Sequence, residues 1–383
     1  MTKTASALSV PTPIAQLIQT ELVPQVQAID REGVYPEQFM RKLGALGGFN
    51  SALPAESGGN GAGLAAQIEV TAAVAEQCGS TAFLVWCQSS CAWYLHNSDN
   101  QAVRDRYLHD VAQGRLLAGT GMSNAVKHLA GIEKIHLRAR REGDGYVVSG
   151  SLPWVSNVGD GHLAIVAAAV EGEGYIMFAT PSTAPGFTSR PCLDFSGLEG
   201  TQTLNLRFQN VQVSADDVLA HPDQFARYIR RIKPGFVLGQ IGMGIGIVRA
   251  GIEIIRESNT SVAHVNVFLD DQEADLATQL ADAQTQVDTL APVAQAGTAD
   301  MLPILKARAA ISELTLKAAN SAVLHAGAKG YLMIHPAQRR LREAVFVAIV
   351  TPALKHLRKE IQELENQAQT AEKTRSPLQT EAA

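Results

Sequence analysis

Apolar residues recur at helical spacing through the first third of the chain. Between Pro13 and Asp30 they stand at positions 14, 17, 18, 22, 26 and 29, which is the period of an amphipathic helix, and a proline suits the first helical turn. A second helix is predicted from Pro36 to Leu46, followed by a glycine-rich loop over 54–63. The same period predicts three further helices, over 64–77, 80–95 and 100–113.

The period changes near Arg115. From there to about Leu219 the apolar residues alternate or form short runs between Gly, Pro, Ser and Asp, which is typical of strands. The clearest runs are 136–140, 146–148, 164–168 and 175–178. After Asp223 helical spacing returns, over 241–255, 272–291, 302–326 and 336–365, which is enough for a helix bundle.

The pattern therefore predicts an α+β protein in three parts. An N-terminal helical domain at 1–114 and a C-terminal four-helix bundle at 223–366 flank a central β-barrel-like domain at 115–222. Residues 367–383 are predicted to be a polar, frayed tail. Because pockets favour domain junctions, we expect the functional site where the β domain meets the helices.

Composition narrows the function classes. The chain has 383 residues, 46% hydrophobic and 18% charged, and a net charge of -5, which excludes disorder and argues against nucleic-acid binding. The four cysteines form no Cys-x-x-Cys pair, so we predict reduced, buried thiols and no metal site. No uncharged apolar run is long enough to cross a bilayer, and the first thirty residues lack a basic region followed by a continuous apolar core, so a cytoplasmic protein with no membrane partner is expected.

Three segments resemble the acyl-CoA dehydrogenase superfamily. The first is 141–150 followed by Leu-Pro-Trp-Val-Ser-Asn at 152–157, the second is Phe-Gln-Asn-Val-Gln-Val-Ser-Ala-Asp at 208–216, and the third combines Gly-Ala-Lys-Gly-Tyr at 327–331 with the helix sequence at 335–344. Each segment alone is weak, but all three occur in the family's order and spacing. The resemblance implies the fold described above, a homotetramer or dimer, and FAD between the β domain and the bundle.

The resemblance also implies which residues would contact the flavin. Trp154 would flank the ring, Ser156 would face N5 and Asn157 would close the turn. The loop at 119–124 would place Met122, Ser123 and Asn124 beside the pyrimidine, and Gly330 of the Gly-Tyr loop would also contact the cofactor. A flat apolar ring with polar edges does need an aromatic wall and a few fixed donors. A Trp-x-Ser-Asn run is by itself more often a packed turn, and only the flanking matches favour the cofactor wall.

The chain departs from the family at the catalytic base. Family members remove an α-proton with a glutamate, because that C–H bond does not ionise unaided; the two positions known for it align with Thr351 and Gly235. We therefore expect no carboxylate opposite the ring. Glu343 and His335 are alternatives, but we expect Glu343 to pair with an arginine and His335 to begin a helix. Gln88 and Thr351 are predicted to contact substrate.

The residues that would hold the ADP half of FAD also differ. The family's arginine, glutamine and glycine align with Ser261, Leu324 and Ala328. Loss of a bidentate arginine removes a strong phosphate contact, so FAD is expected to bind weakly or to be replaced by FMN.

Three functions remain open at this point. The first is a flavin-dependent oxidoreductase acting on an acyl-CoA or similar small molecule. The second is a two-component monooxygenase that takes reduced flavin from a separate flavin reductase, with Ser123, Ser156 and His128 to orient a peroxide. The third is a non-catalytic member of the family.

Overall fold

The N-terminal part is helical, as predicted. The computed structural model describes residues 9–375. Its first helical segment, from Thr12 to Arg31, is divided into four short pieces. These are α1, Thr12–Leu17; a π turn over 18–22; a 3-10 turn over 23–25; and α2, Val26–Arg31. The predicted single helix is thus irregular, because Pro24 lacks an N–H and its ring crowds the preceding turn. The helices that follow are α3, Glu37–Ala45; α4, Leu64–Gln77; α5, Gly79–His96; and α6, Gln101–Ala112.

The central part is a single eight-stranded sheet. Its path is β6-β7-β3-β2-β4-β5-β8, and β1 pairs in parallel with β4. The predicted runs at 146–148, 164–168 and 175–178 all fall within strands. The strands are β1, Ala118–Thr120; β2, Arg138–Glu142; β3, Gly145–Val155; β4, Leu163–Val170; β5, Gly174–Pro181; β6, Phe187–Pro191; β7, Leu204–Val213; and β8, Val218–Ala220.

A short helix, α7, interrupts the predicted β domain at Ser123–Leu129. Its residues Val126 and Leu129 face the helices rather than the sheet, since both line a cavity with residues of the C-terminal part. This difference from the prediction affects the site, because α7 follows directly after β1.

The C-terminal part is a helix bundle, as predicted. The expected helix over 336–365 is two helices, because Pro352 cannot donate a backbone hydrogen bond and the chain turns between Ile349 and Leu354. The last helix continues to Arg375, into the predicted tail, whose final residues 376–383 lie outside the described part. The helices are α8, Pro222–Gly239; α9, Ile241–Asn266; α10, Glu273–Gln295; α11, Met301–Ala326; α12, Pro336–Ile349; and α13, Leu354–Arg375.

Two hydrophobic cores organise the molecule. One is continuous from the N-terminal helices into the bundle, and the other lies within the sheet. The helical pair α8–α9 is apolar and long enough to cross a membrane, but 89% of its most apolar window is buried inside the protein, as expected of core helices. The helical parts therefore pack as one body around α5, whose residues from Gly79 to Leu95 are buried except Ser89.

Candidate functional site

The end of β1 meets the turn that follows β3. A Cβ atom added to Gly119 would lie 2.3 Å from the carbonyl oxygen of Ser156, so only glycine allows this approach. The side chain of Asn157 donates a 2.8 Å hydrogen bond to the carbonyl of Ala118. The fold thus brings together the two segments, 119–124 and 154–157, that sequence reasoning assigned to the flavin.

Trp154 stands at this junction in an unusual backbone conformation. Its φ angle is +59°, a left-handed value that is an outlier for a bulky residue. Its side chain is 61% exposed although tryptophan is usually well buried. Strained backbone and an uncovered indole in the same residue are typical of ligand sites.

The polar groups beside Trp154 are fixed by neighbouring hydroxyls. Ser156 is buried, and its hydroxyl is 2.5 Å from that of Thr203. Met122 is buried and is the N-cap residue of α7, where no side chain caps the helix, so the backbone amides that follow Met122 lack a side-chain acceptor. These groups fit the polar edge of a flat ring, and Trp154 fits its apolar face.

Three of the amide side chains assigned to ligands are instead engaged within the protein. Gln88 donates to the carbonyls of Val111 and Leu116 and accepts from Ala118 N and Asn157 Nδ2, so its hydrogen-bonding capacity is fully used. Asn157 also accepts from the hydroxyl of Tyr35, at 2.6 Å. These contacts support a role in holding β1 against the turn after β3.

Asn124 is engaged in the same way. Its amide donates to Glu133 Oε1 and to the carbonyl of Lys134, and its oxygen accepts from the amide of His136. The side chain therefore closes the loop between α7 and β2.

Thr351 lies at the base of the loop between α12 and α13. Its hydroxyl is 2.7 Å from that of Ser123, and its carbonyl accepts from Gln240 Nε2. Gln240 in turn accepts from Arg308, a fully buried guanidinium whose other described partners are a serine hydroxyl and the carbonyl of Val347. The structure thus brings Ser123 and Thr351 together.

An apolar cavity of about 90 Å³ adjoins this junction. Met122, a predicted flavin contact, forms part of its wall, so the cavity and the predicted flavin position share a boundary. Its lining is apolar apart from the tyrosine and one ion pair: Tyr94, Met122, Val126, Leu129, Ile229, Ile232, Lys233, Phe236 and Glu360.

The ion pair in the cavity joins α8 to α13. Lys233 Nζ lies 3.0 Å from both carboxylate oxygens of Glu360, and His356 Nε2 lies 3.1 Å from Oε1. Burial raises the pKa of Glu360, but the hydrogen bonds from His356 and Lys233 outweigh burial and hold it below its ordinary value. Glu360 is therefore ionised at neutral pH.

Sequence reasoning missed Glu360. The one sequence signal is the pair His356–Glu360, four residues apart on a helix whose inward side also carries Leu357. A charged residue in such a helical pattern is normally interpreted as solvent-exposed. Its relation to Lys233 depends on the packing of α8 against α13, which no local pattern contains.

The expectations for Glu343 and His335 are confirmed. Glu343 is buried, pairs with Arg340 at 2.6 Å and accepts from the amide of Gly79, and His335 caps the first turn of α12. His128 is held on both ring nitrogens, by the carbonyl of Glu133 and the hydroxyl of Tyr175. None of these three side chains is among the cavity-lining residues.

The positions aligned with the residues that hold the ADP half lie on the surface of the bundle. Ser261, Leu324 and Ala328 are exposed, whereas Gly330 is buried and packs against Val323 and Ala326. Among residues 9–370, whose side chains the structure describes, no cluster of His, Cys, Asp or Glu suits a metal ion. Cys78, Cys87 and Cys91 are buried free thiols as predicted, whereas Cys192 is half-buried.

Comparisons with known proteins agree with this architecture. Residues 9–115 match the family model for the acyl-CoA dehydrogenase N-terminal domain. A probable acyl-CoA dehydrogenase of Bacillus subtilis is 24% identical over 88% of this chain and 91% of its own length. The mitochondrial isovaleryl-CoA dehydrogenase of Pongo abelii is 27% identical over 55% of this chain, and the match spans only 52% of that protein.

Solved structures share the fold over most of the chain. Butyryl-CoA dehydrogenase from Megasphaera elsdenii superposes with a TM-score of 0.82 at 21% identity, covering 92% of this chain and 96% of its own. A glutaryl-CoA dehydrogenase from Mycobacterium smegmatis in complex with FADH2 gives a TM-score of 0.74 at 17% identity, covering 92% of both chains. Together with the three-part fold, these matches show that the chain belongs to the acyl-CoA dehydrogenase superfamily.

Proposed function

We propose that the protein is a flavin-dependent oxidoreductase that oxidises a short acyl thioester. The observation that carries this proposal is the small apolar cavity, about 90 Å³ in volume, whose wall includes Met122 beside the predicted flavin position. A cavity of about 150 Å³ holds one benzene, so this one accommodates roughly three or four carbon atoms. When bound, the flavin would supply the acceptor for two electrons, and the cavity would orient the acyl chain and exclude water from it.

The chain's own residues fit the flavin at three points. Trp154 offers an uncovered aromatic face, and the amides that begin α7 and the Ser156 region offer donors. The surface positions Ser261, Leu324 and Ala328 lack the arginine, glutamine and glycine that would hold the ADP half. This supports a flavin held mainly by its ring, with FAD as the first candidate and FMN as the second.

The test is an anaerobic titration of purified, FAD-reconstituted protein with butyryl-CoA. We expect the bound flavin to lose its visible absorbance as it is reduced, and octanoyl-CoA to reduce it far more slowly because its chain exceeds the cavity. A protein that binds flavin but is not reduced by any acyl-CoA would contradict the proposal.

A second candidate function is a monooxygenase that uses reduced flavin from a separate reductase. Neither position that carries the base in the family can carry one here, and this favours the monooxygenase. Thr351 has no carboxylate. A Cβ atom at Gly235 would lie 2.8 Å from Trp93, which leaves no room for a longer side chain. Oxygen consumption that requires reduced flavin, with no reduction of oxidised flavin by acyl-CoA, would support this function instead.

We also propose that the chain assembles with copies of itself. Apolar side chains stand uncovered on the bundle, among them Phe268 at 84%, Tyr331 at 80% and Ile334 at 72% exposure, and such uncovered groups mark association surfaces. Light scattering of the purified protein would give a dimer or tetramer mass. A monomer at micromolar concentration would contradict this.

A further inference from the structure

We propose that Glu360 is the proton acceptor of this enzyme, in place of the carboxylate that is absent at positions 351 and 235. This inference rests on the proposed function. It assigns the removal of the substrate's α-proton to a residue on α13, in the bundle.

The cavity wall holds one carboxylate close to the predicted flavin position. Lys233 and Glu360 are the only charged residues among its lining residues, and Glu360 is the only carboxylate there. Met122 lies in the same wall, so an acyl group in the cavity is bounded by the predicted flavin position and by Glu360. A proton acceptor must come within hydrogen-bond reach of the atom that loses the proton, and no other lining residue is an ionised acceptor.

Lys233 and His356 bond the two carboxylate oxygens of Glu360 unequally. Its side chain is 13% exposed, so bulk water has little access to the carboxylate. Lys233 bonds both oxygens, while His356 bonds Oε1 alone. Oε2 therefore keeps lone pairs that no other described group uses.

His356 fixes the orientation of the carboxylate. It is 3% exposed, and its Nδ1 is buried with no hydrogen-bond partner among the described residues. Burying a ring nitrogen without a hydrogen-bond partner costs free energy, so its presence calls for an explanation. With its proton on Nε2, the ring donates to Oε1 and aims Oε2 towards the cavity, so His356 is a positioning residue.

The proposed step balances without an oxidant. The α C–H bond breaks, the proton moves to Glu360 Oε2, and the electron pair remains on the substrate, delocalised into the thioester carbonyl. Lys233 holds the carboxylate ionised before the step.

The experiment measures exchange of the α-protons of acetyl-CoA in D2O by mass spectrometry. Acetyl-CoA has no β C–H bond, so it can lose a proton but cannot be dehydrogenated. We compare the FAD-reconstituted wild type with Glu360→Gln, and use Glu363→Gln as the control because Glu363 is exposed on the same helix and its described ion pair is with Lys359. Calorimetric binding of acetyl-CoA and thermal unfolding show whether each variant keeps its site and its fold.

We expect Glu360→Gln to slow exchange by about 100-fold or more, the usual range for a general base, with acetyl-CoA affinity within about twofold of wild type. Glu363→Gln should exchange as the wild type does. Equal exchange by wild type and folded Glu360→Gln overturns the inference.

Reduction of the flavin by butyryl-CoA separates a failure of this inference from a failure of the proposed function. If the wild type is reduced by butyryl-CoA and Glu360→Gln is reduced as fast, Glu360 is not the acceptor and the proposed function stands. If the wild type neither exchanges acetyl-CoA nor is reduced by butyryl-CoA, the proposed function fails and the inference falls with it.

Discussion

The hydroxyl of Ser123 lies 2.7 Å from the hydroxyl of Thr351 and joins the first turn of α7 to the loop between α12 and α13. This contact connects the β part to the bundle at the point where the predicted flavin segment and the family's base position meet. The site therefore depends on how the two parts are held together.

The Ser123–Thr351 contact should couple the two parts energetically. We expect Ser123→Ala and Thr351→Val each to lower the free energy of unfolding by about 1 kcal/mol, the usual net value of a neutral hydrogen bond. The double variant should lose less than the sum of the two. Urea unfolding of all four proteins measures this coupling, and strictly additive losses would show that the hydroxyls do not interact.

The buried Arg308 supports the loop that carries Thr351. It donates to Gln240, whose amide bonds the carbonyl of Thr351. Arg308→Met should lower the free energy of unfolding by about 2–4 kcal/mol, because three buried acceptors, on Gln240, Ser312 and Val347, lose their donor. Arg358→Met is the matched control, since Arg358 is 65% exposed and its pair with Glu313 should contribute less than about 1 kcal/mol. Similar losses in both variants would contradict the account of Arg308.

The strands and most helices could be predicted because their signals are local. Alternation at 164–168 and apolar spacing at 64–77 need no distant partner, and both segments form the expected element. The helix α7 was missed because its sequence lies within a stretch of strand-like spacing, and its two apolar residues find their partners on α8 across the cavity.

The candidate site could be predicted only in part. The segment around Trp154 and the glycine at 119 carry signals in sequence, and the fold brings their neighbourhoods together. Gln88 was assigned to substrate because its helix, predicted over 80–95, was expected to border the pocket. Its four hydrogen bonds, three to backbone groups and one to the side chain of Asn157, depend on tertiary packing. Glu360 was missed for the same reason, since Lys233 is 127 residues away in the chain.

The ion pair of Glu360 should make the free energy of unfolding depend on pH in the acidic range. Lys233 on α8 and His356 on α13 are the charged or titratable groups bonded to the carboxylate, and its pKa in the folded state lies below the ordinary value of 4.5 despite burial. A carboxylate whose pKa is lower in the folded state than in the unfolded state stabilises the fold at pH values above the unfolded-state pKa. This stabilisation disappears as the pH falls through the folded-state pKa. The stability difference between wild type and Glu360→Gln should therefore shrink as the pH falls below 4.5. A difference that does not change with pH would contradict the ion pair.

Cavity size should set the preferred length of the acyl chain. Ile229 lines the cavity from α8 and is only half-buried, so Ile229→Ala enlarges the cavity without opening the main core. We expect the acyl-CoA with the highest kcat/KM to become longer by about two carbon atoms, while the exposed control Ile349→Ala keeps the wild-type preference. An unchanged preference in Ile229→Ala would place the acyl chain elsewhere.

A crystal structure of the flavin-loaded protein with a butyryl-CoA analogue would show which residues face the acyl chain. We expect a flavin ring against the indole of Trp154 and Met122, the acyl chain inside the cavity, and the α-carbon within hydrogen-bond reach of Glu360 Oε2. An acyl chain outside the cavity, or an α-carbon facing Thr351 with Glu360 remote from it, would show that Glu360 is not the proton acceptor.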